Sequence, residues 1–324
     1  MENVIITGTT GMIGSHVAKI LIDNGINVTA IIRPMSEKIG NLKDAHDISE
    51  QDGKGRLQLV ECSIDELPSL RDKLGWEHDT FLHFAWEHTY GPGKYDASKQ
   101  EANIKATIDA VHLAYESGCK TFVGCGSHDE FGIISGKLSD ELPKDPISGY
   151  GIAKLAANRL SALECRNLGM RHCWGRVLSC YGPGDNDKTM VMTAVKTMLR
   201  GDKMQFTPAE QIWDYLYVED CAKAFIAIAE KGIDQKSYII GSGEQRLLRE
   251  YIYAIRDAID PNLEVGIGER DYGPNQVMLL SADINELTAD TGFFPETSFE
   301  EGIRKTIEAV KRSLEAQSEE QNYN

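Results

Sequence analysis

The chain has no excess of basic residues. Against 50 Asp and Glu it carries only 34 Lys and Arg, a formal net charge of −16. Phosphate backbones reward cations, so this balance argues against nucleic acid as a partner, and any anionic ligand must be held by a local group of donors. No apolar run approaches a membrane-spanning length, which argues against a membrane span. The cysteines have no framework either. Cys62, Cys119, Cys125, Cys165, Cys173, Cys180 and Cys221 are scattered, odd in number and without a CxxC pair, a pattern of reduced thiols that suits neither disulfides nor a zinc site. Internal repeats and low-complexity linkers are missing as well. The first apolar strand begins almost at Met1, leaving no room for a signal peptide, so a cytoplasmic location is expected. What remains is ordinary for a globular protein: 41% hydrophobic and 26% charged residues, in a 324-residue chain long enough for one large α/β domain with an appended lobe, or for two modest domains.

The most informative stretch is Val4-Ile5-Ile6-Thr7-Gly8-Thr9-Thr10-Gly11-Met12-Ile13-Gly14-Ser15-His16. A short strand, apolar on both faces, runs into three glycines spaced three apart, and an amphipathic run follows at once. Apolarity on both faces marks a buried strand of a parallel sheet. Gly8 permits a sharp turn, Gly11 lets backbone approach a pyrophosphate, and Gly14 lets the next helix pack closely. The helix N-terminus then offers free N–H groups to phosphate. A glycine-rich turn without a ligand would explain neither the strand before it nor the helix after it, so dinucleotide binding at Gly8, Thr10, Gly11, Met12, Ile13 and Gly14 is the expectation.

The first half alternates strand-like and helix-like runs: strands at Asn3–Thr7, Asn27–Ile32, Leu57–Glu61, Thr80–Phe84 and Thr121–Gly124, with helices at Ser15–Asn24 and around Asn103–Ser117. Such alternation predicts a doubly wound parallel sheet. Residues 35–56 are polar and predict a surface loop with a short helix. After Arg176 the rhythm changes, with a helix expected near Thr189–Arg200 and another over Phe299–Glu315. The division expected is a dinucleotide-binding core over 1–176, to which 213–240 return, a substrate lobe from 177–212 and 241–312 woven into it, and a flexible tail over 313–324.

Tyr150-Gly-Ile-Ala-Lys154 is the second strong feature. A spacing of four puts both side chains on one helix face. A neighbouring ammonium favours phenolate and lowers a tyrosine pKa that is ordinarily about 10, which suits proton transfer to or from a hydroxyl. A surface tyrosine beside a lysine would show the same spacing, but here the pair follows a glycine-triplet strand on the same chain.

Together, TGxxGxxG and YxxxK resemble the short-chain dehydrogenase/reductase superfamily, and the length and later motifs resemble its extended branch of sugar-nucleotide epimerases, dehydratases and ketoreductases. His83-Phe84-Ala85-Trp86 resembles the HxAA turn that lies against the cofactor, implicating Phe84, Ala85 and Trp86. Asn103 matches a helix asparagine that steadies the active site. Gly126–Gly132 resembles the S-S-x-x-x-Y-G segment and places the catalytic serine at Ser127, completing a Ser127–Tyr150–Lys154 triad in which the lysine also orients the cofactor ribose. Tyr181-Gly-Pro-Gly184, Gln211 to Asp220, Tyr238 to Gly243 and Thr291 to Pro295 match further landmarks, so the resemblance covers roughly residues 1–312. It implies a Rossmann core, a nucleotide-diphosphate sugar as substrate and a homodimer formed through the helices that carry Asn103 and Tyr150.

Departures from the pattern narrow the reading. NAD users of this family end the second strand with an acid, whereas Ile32 and Arg33 stand here, an arrangement that suits the 2′-phosphate of NADP, with Ser36 as a helper, although a solvent-facing arginine beside an NAD site is the plain alternative. Ser63 replaces an adenine-binding aspartate, leaving Ile64 backbone to do more. The dehydratases carry Thr-Asp-Glu at the serine segment; here His128 intervenes and the acids come one place late, at Asp129 and Glu130, which redirects them. No distant ligands accompany this cluster, so no metal is expected. Trp213 replaces an arginine that relatives use on the diphosphate, which leaves Arg249, Arg246, Arg270 or Arg176 as substitutes, or Trp213 stacking on the base. His128, Glu130, Ser179, Trp213 and Arg249 are the expected substrate contacts. The expected chemistry is NADPH-dependent reduction of a 4-keto-6-deoxy sugar nucleotide. A C4 epimerase that retains NAD, a 4,6-dehydratase and a non-catalytic dinucleotide-binding protein are the alternatives.

Overall fold

The computed structural model describes residues 1–323 other than 75, 76, 135, 274 and 275. The chain alternates through β1 (Asn3–Thr7), α1 (Met12–Asp23), β2 (Asn27–Ile32), α2 (Lys43–Ser49), β3 (Leu57–Glu61), β4 (Thr80–His83), α3 (Ala97–Glu116), β5 (Thr121–Ser127), α4 (Gly149–Leu168) and β6 (Arg171–Val177). After α5 (Met190–Leu199) and α6 (Val218–Lys231), β7 (Lys236–Ile240) adds the last strand of one parallel sheet ordered β7-β6-β5-β4-β1-β2-β3. The doubly wound α/β fold is the one the alternation predicts. The order reverses between β1 and β4, and a crevice opens at the carboxyl ends of the strands on either side of such a reversal.

Side-chain alternation along β1 explains why that strand is apolar throughout. Val4 and Ile6 join a fully buried cluster with Val17 and Leu21 of α1 and Phe225 and Ile228 of α6, while Ile5 points to the other layer with Phe81, Phe122, Val111 and Leu113. Burying each such side chain contributes roughly 1.5–3 kcal/mol. A separate cluster built from Tyr181, Val191, Val195, Met198, Tyr251, Ile252, Phe299 and Ile303 packs α5 against α7 (Leu248–Ile259) and α9 (Phe299–Tyr323), with the short α8 (Asn285–Thr291) beside α6. Residues 136–138 and 280–282 pair in parallel and tie this second lobe to the region after β5.

Several boundaries differ from expectation. Helix α1 starts at Met12, because Gly11 takes the extended N-cap conformation. Helix α3 starts as early as Ala97, because the Asp96 carboxylate accepts from the backbone N–H of Ser98 and Lys99 at 3.1 and 3.2 Å. The segment 313–324, expected as a flexible tail, continues α9 to Tyr323; it contains no glycine or proline to stop the helix.

Candidate active site

The glycine turn works through close approach. Gly8 has φ +70°, and a Cβ there would lie 2.6 Å from the Ala85 nitrogen; one on Gly14 would lie 2.4 Å from the Gly8 carbonyl oxygen. The turn is therefore pressed between the β4 turn and α1 with no room for a side chain. Gly11 caps α1 without a side-chain hydrogen bond, and no acid occupies the first turn, so the helix N-terminus faces the crevice with donors for an anion. Beside it, a cavity of about 270 Å³ is lined by Gly8, Thr10 and Gly11 from the turn, Arg33, Ser36 and Lys38 after β2, Cys62 and Ile64 after β3, and Phe84 to Glu87 after β4. A shape that excludes Cβ atoms, a helix terminus and a cationic edge together fit a dinucleotide.

A larger cavity of about 500 Å³ continues from the same turn, sharing Gly8, Gly11, Lys38 and Phe84 with the first. Met12, Ile13, Gly14, Ser127, His128, Asp129, Tyr150, Ser179, Asp185 and Trp213 line it. Ser127 ends β5, where its hydroxyl caps the 3-10 turn His128–Phe131, and it lies close enough to the Tyr150 phenol to temper its pKa. Burial pushes the Tyr150 pKa up, with the neighbouring Cys125 thiol adding to the rise. Lys154 does not offset this. Its ammonium donates to the Cys125 carbonyl at 2.6 Å and stands 3.6 Å from the centre of the Trp86 ring, but 5.8 Å from that of Tyr150. Burial lowers its own pKa to about 8. Burial, and not the expected ammonium of Lys154, is thus the main influence on the Tyr150 pKa, while the Cys125 carbonyl and the Trp86 indole hold the lysine.

Other expected residues lie elsewhere. Asn103 bridges to the loop after β4, accepting from Glu87 N–H at 2.9 Å and donating to Glu87 carbonyl at 3.1 Å, so its hydrogen bonds position that loop. Glu130 is fully buried and accepts from Ser127 N–H, Trp174 Nε1 and Arg176 Nε at 3.1, 2.9 and 2.7 Å, so it faces the core and not substrate. Arg176, once a candidate for the diphosphate, is its buried partner and also pairs with Asp140. Arg249 pairs with Glu210 at 3.2 Å and Arg246 with Glu300 at 2.9 Å, and neither they nor Arg270 line the large cavity. Ser63 turns to Asp65 at 2.5 Å, and Cys62 takes its place in the cofactor cavity. Trp213 and Ser179 do meet at the cavity wall, joined by an indole-to-hydroxyl hydrogen bond of 2.9 Å.

Sequence reasoning missed Lys94, which enters from the 3-10 turn Pro92–Tyr95, pairs with Asp129 at 2.5 Å and stands 5.5 Å from the Tyr150 ring centre. No local motif marks it. It also missed Lys38, which lines both cavities, and Asp185, whose carboxyl burial raises to about 6.

Fold and cleft define a dinucleotide-dependent α/β enzyme with a second, larger cavity at the sheet's carboxyl edge. The chain belongs to the NAD dependent epimerase/dehydratase family, whose model matches residues 4–241. It is 23% identical to a dTDP-glucose 4,6-dehydratase of Neisseria gonorrhoeae over 331 residues, covering 95% of each chain. A further relative, described as an uncharacterized UDP-glucose epimerase of Bacillus subtilis, is 24% identical over 94% of this chain and 96% of its own. Among solved structures, a UDP-N-acetylglucosamine 4-epimerase from Methanobrevibacter ruminantium superposes with a TM-score of 0.83 at 22% identity, covering 96% of this chain and 99% of that one. The structure of RMD from Pseudomonas aeruginosa complexed with NADPH superposes with a TM-score of 0.76 at 20% identity over 95% and 99%.

Proposed function

We propose that the enzyme uses NADPH to reduce the C4 carbonyl of a 4-keto-6-deoxy nucleotide sugar. The observation that carries this reading is the edge of the cofactor cavity after β2, where Arg33, Ser36 and Lys38 line it and Glu37 between them does not. Cations there favour a 2′-phosphate over a bare ribose hydroxyl pair. NADP-type cofactors serve as consumable reductants, which suits net reduction better than a retained, recycled cofactor.

When bound, the nicotinamide supplies a hydride to the carbonyl carbon. Tyr150, kept protonated by burial, gives its phenolic proton to the carbonyl oxygen, and the product is the alcohol. Ser127, which lines the same cavity beside that phenol, donates a hydrogen bond to the same oxygen. The lysine holds its charge behind the pair and serves the cofactor ribose. Lys38 and Lys94 are the only Lys or Arg side chains that line the large cavity among the described residues; with Lys38 at the cofactor edge, Lys94 is assigned to the diphosphate.

The rival reading, a C4 epimerase that retains NAD, is favoured by the same triad and by the epimerases among the structural relatives. Denaturing freshly purified protein and identifying the released nicotinamide cofactor separates the two. Reduction predicts an empty protein that binds NADPH more tightly than NADH; near-stoichiometric NAD(H) points to the epimerase. The homodimer is part of the proposal: Ile152, Leu160 and Leu163 of α4 and Tyr115 of α3 leave large apolar side chains exposed on the helices expected to pair. Light scattering that finds a monomer refutes it.

A further inference from the structure

We propose that Trp86 is a positioning residue for Lys154, its indole face holding the lysine ammonium in place for the cofactor. This rests on the dinucleotide reading of the cleft. An ammonium has three N–H donors. In Lys154 one goes to the Cys125 carbonyl at 2.6 Å, and the charge sits 3.6 Å from the centre of the Trp86 ring, well inside the range of a cation–π contact. With those two directions taken, one donor remains free beside the Trp86 indole, which itself lines the cofactor cavity.

The indole is in turn fixed. Its Nε1 donates to Gln100 Oε1 at 3.0 Å, and Gln100, buried in α3, donates to the carbonyls of His88 and Gly93 at 3.0 and 2.9 Å. Asn103 adds a hydrogen bond to the same Gln100 oxygen at 3.3 Å. The ring meets Tyr150 edge-on, 88° between planes and 6.0 Å between centres, so a single indole touches both members of the Tyr150–Lys154 pair. Loop, α3 and α4 are thereby coupled through one side chain.

Burial drives the ammonium toward its neutral form, and the Cys125 thiol and Glu130 oppose that drive. The other titratable groups around it are Tyr150 on its own helix and His83 on β4, whose pKa burial lowers to about 3, so that it stays neutral and adds no charge. The indole face adds an attraction available only to the charged form. Removing the face while keeping its bulk apolar should lower the pH at which Lys154 loses its proton.

The test is NADPH affinity by titration calorimetry from pH 6 to 10 for wild type, Trp86→Leu, Trp86→Phe and Lys154→Met, with thermal melts to confirm folding. Wild type should lose affinity as pH rises through the lysine's titration, and Lys154→Met should lack that transition. Trp86→Leu should move it down by about one pH unit, and Trp86→Phe, which keeps an aromatic face, should restore most of the difference. An unmoved or upward-moved midpoint in Trp86→Leu, an equal shift in Trp86→Phe, or a transition that survives Lys154→Met overturns the proposal. Failure of wild type to bind either NADPH or NADH at any pH removes the dinucleotide reading itself, and the proposal with it.

Discussion

The cofactor side of the cleft is made by four neighbouring strand ends, each contributing the residues that immediately follow it: Gly8 to Gly11 after β1, Arg33 to Lys38 after β2, Cys62 to Ile64 after β3 and Phe84 to Glu87 after β4. The sugar side is gathered from scattered pieces. Lys94 comes from a turn before α3, Ser127 to Asp129 from the end of β5, Tyr150 from α4, Ser179 to Asp185 from the loop after β6, and Trp213 from a two-residue strand further along the chain. Backbone shape builds the first half and side-chain convergence the second. The difference implies that changes on the sugar side strike chemistry and folding through single side chains, whereas the cofactor side responds by graded changes in affinity.

The largest effect should come from Tyr150→Phe on the sugar side. Turnover should fall roughly 10²- to 10⁴-fold while NADPH affinity holds, as read by steady-state rates beside calorimetry. Unchanged turnover would remove the mechanism. Next is Glu130→Gln, which tests whether the serine segment is anchored from the core. It takes one of the two charge partners from a buried Arg176, the other being Asp140, so urea unfolding should show a loss of about 3 kcal/mol. A variant as stable as wild type but impaired in substrate affinity would return Glu130 to the substrate side. On the cofactor side, Arg33→Ala should weaken NADPH binding by roughly ten- to a hundredfold and leave NADH untouched, because only the former places a phosphate beside it. Equal losses for both would erase the 2′-phosphate argument. The smallest effect belongs to Arg249→Ala, which should cost under about 0.5 kcal/mol in stability and leave substrate KM alone, since its guanidinium pairs with Glu210 away from the cleft.

The same contrast explains what could be read from the chain before its structure. The Gly8–Gly14 turn and the Tyr150–Lys154 spacing are local, so the strand-turn-helix and the shared helix face follow from neighbours in sequence, and the core strands β1, β2 and β3 fell at the expected residues. Glu130 was misassigned because its partners, Trp174 and Arg176, lie 44 and 46 residues away and no spacing announces them. Cys62 stands in the cofactor cavity where Ser63 is expected, because a one-residue step at a strand end turns a side chain to the opposite face. Lys94 carries no motif at all; only the fold brings its turn against Asp129. The lysine's indole seat was equally hidden, since Trp86 and Lys154 meet only when the β4 turn packs on α4.

The most direct test of the central claim is isotopic. The protein is incubated with NADPH deuterated at the transferred position of C4 and with 4-keto-6-deoxy sugars carried on dTDP, UDP, GDP and CDP, and the product is read by NMR. The account predicts deuterium bound to C4 of a released sugar alcohol, with one NADPH consumed for each molecule formed. NADPH left intact, no deuterium in any sugar and tightly held NAD recovered from the protein would contradict it.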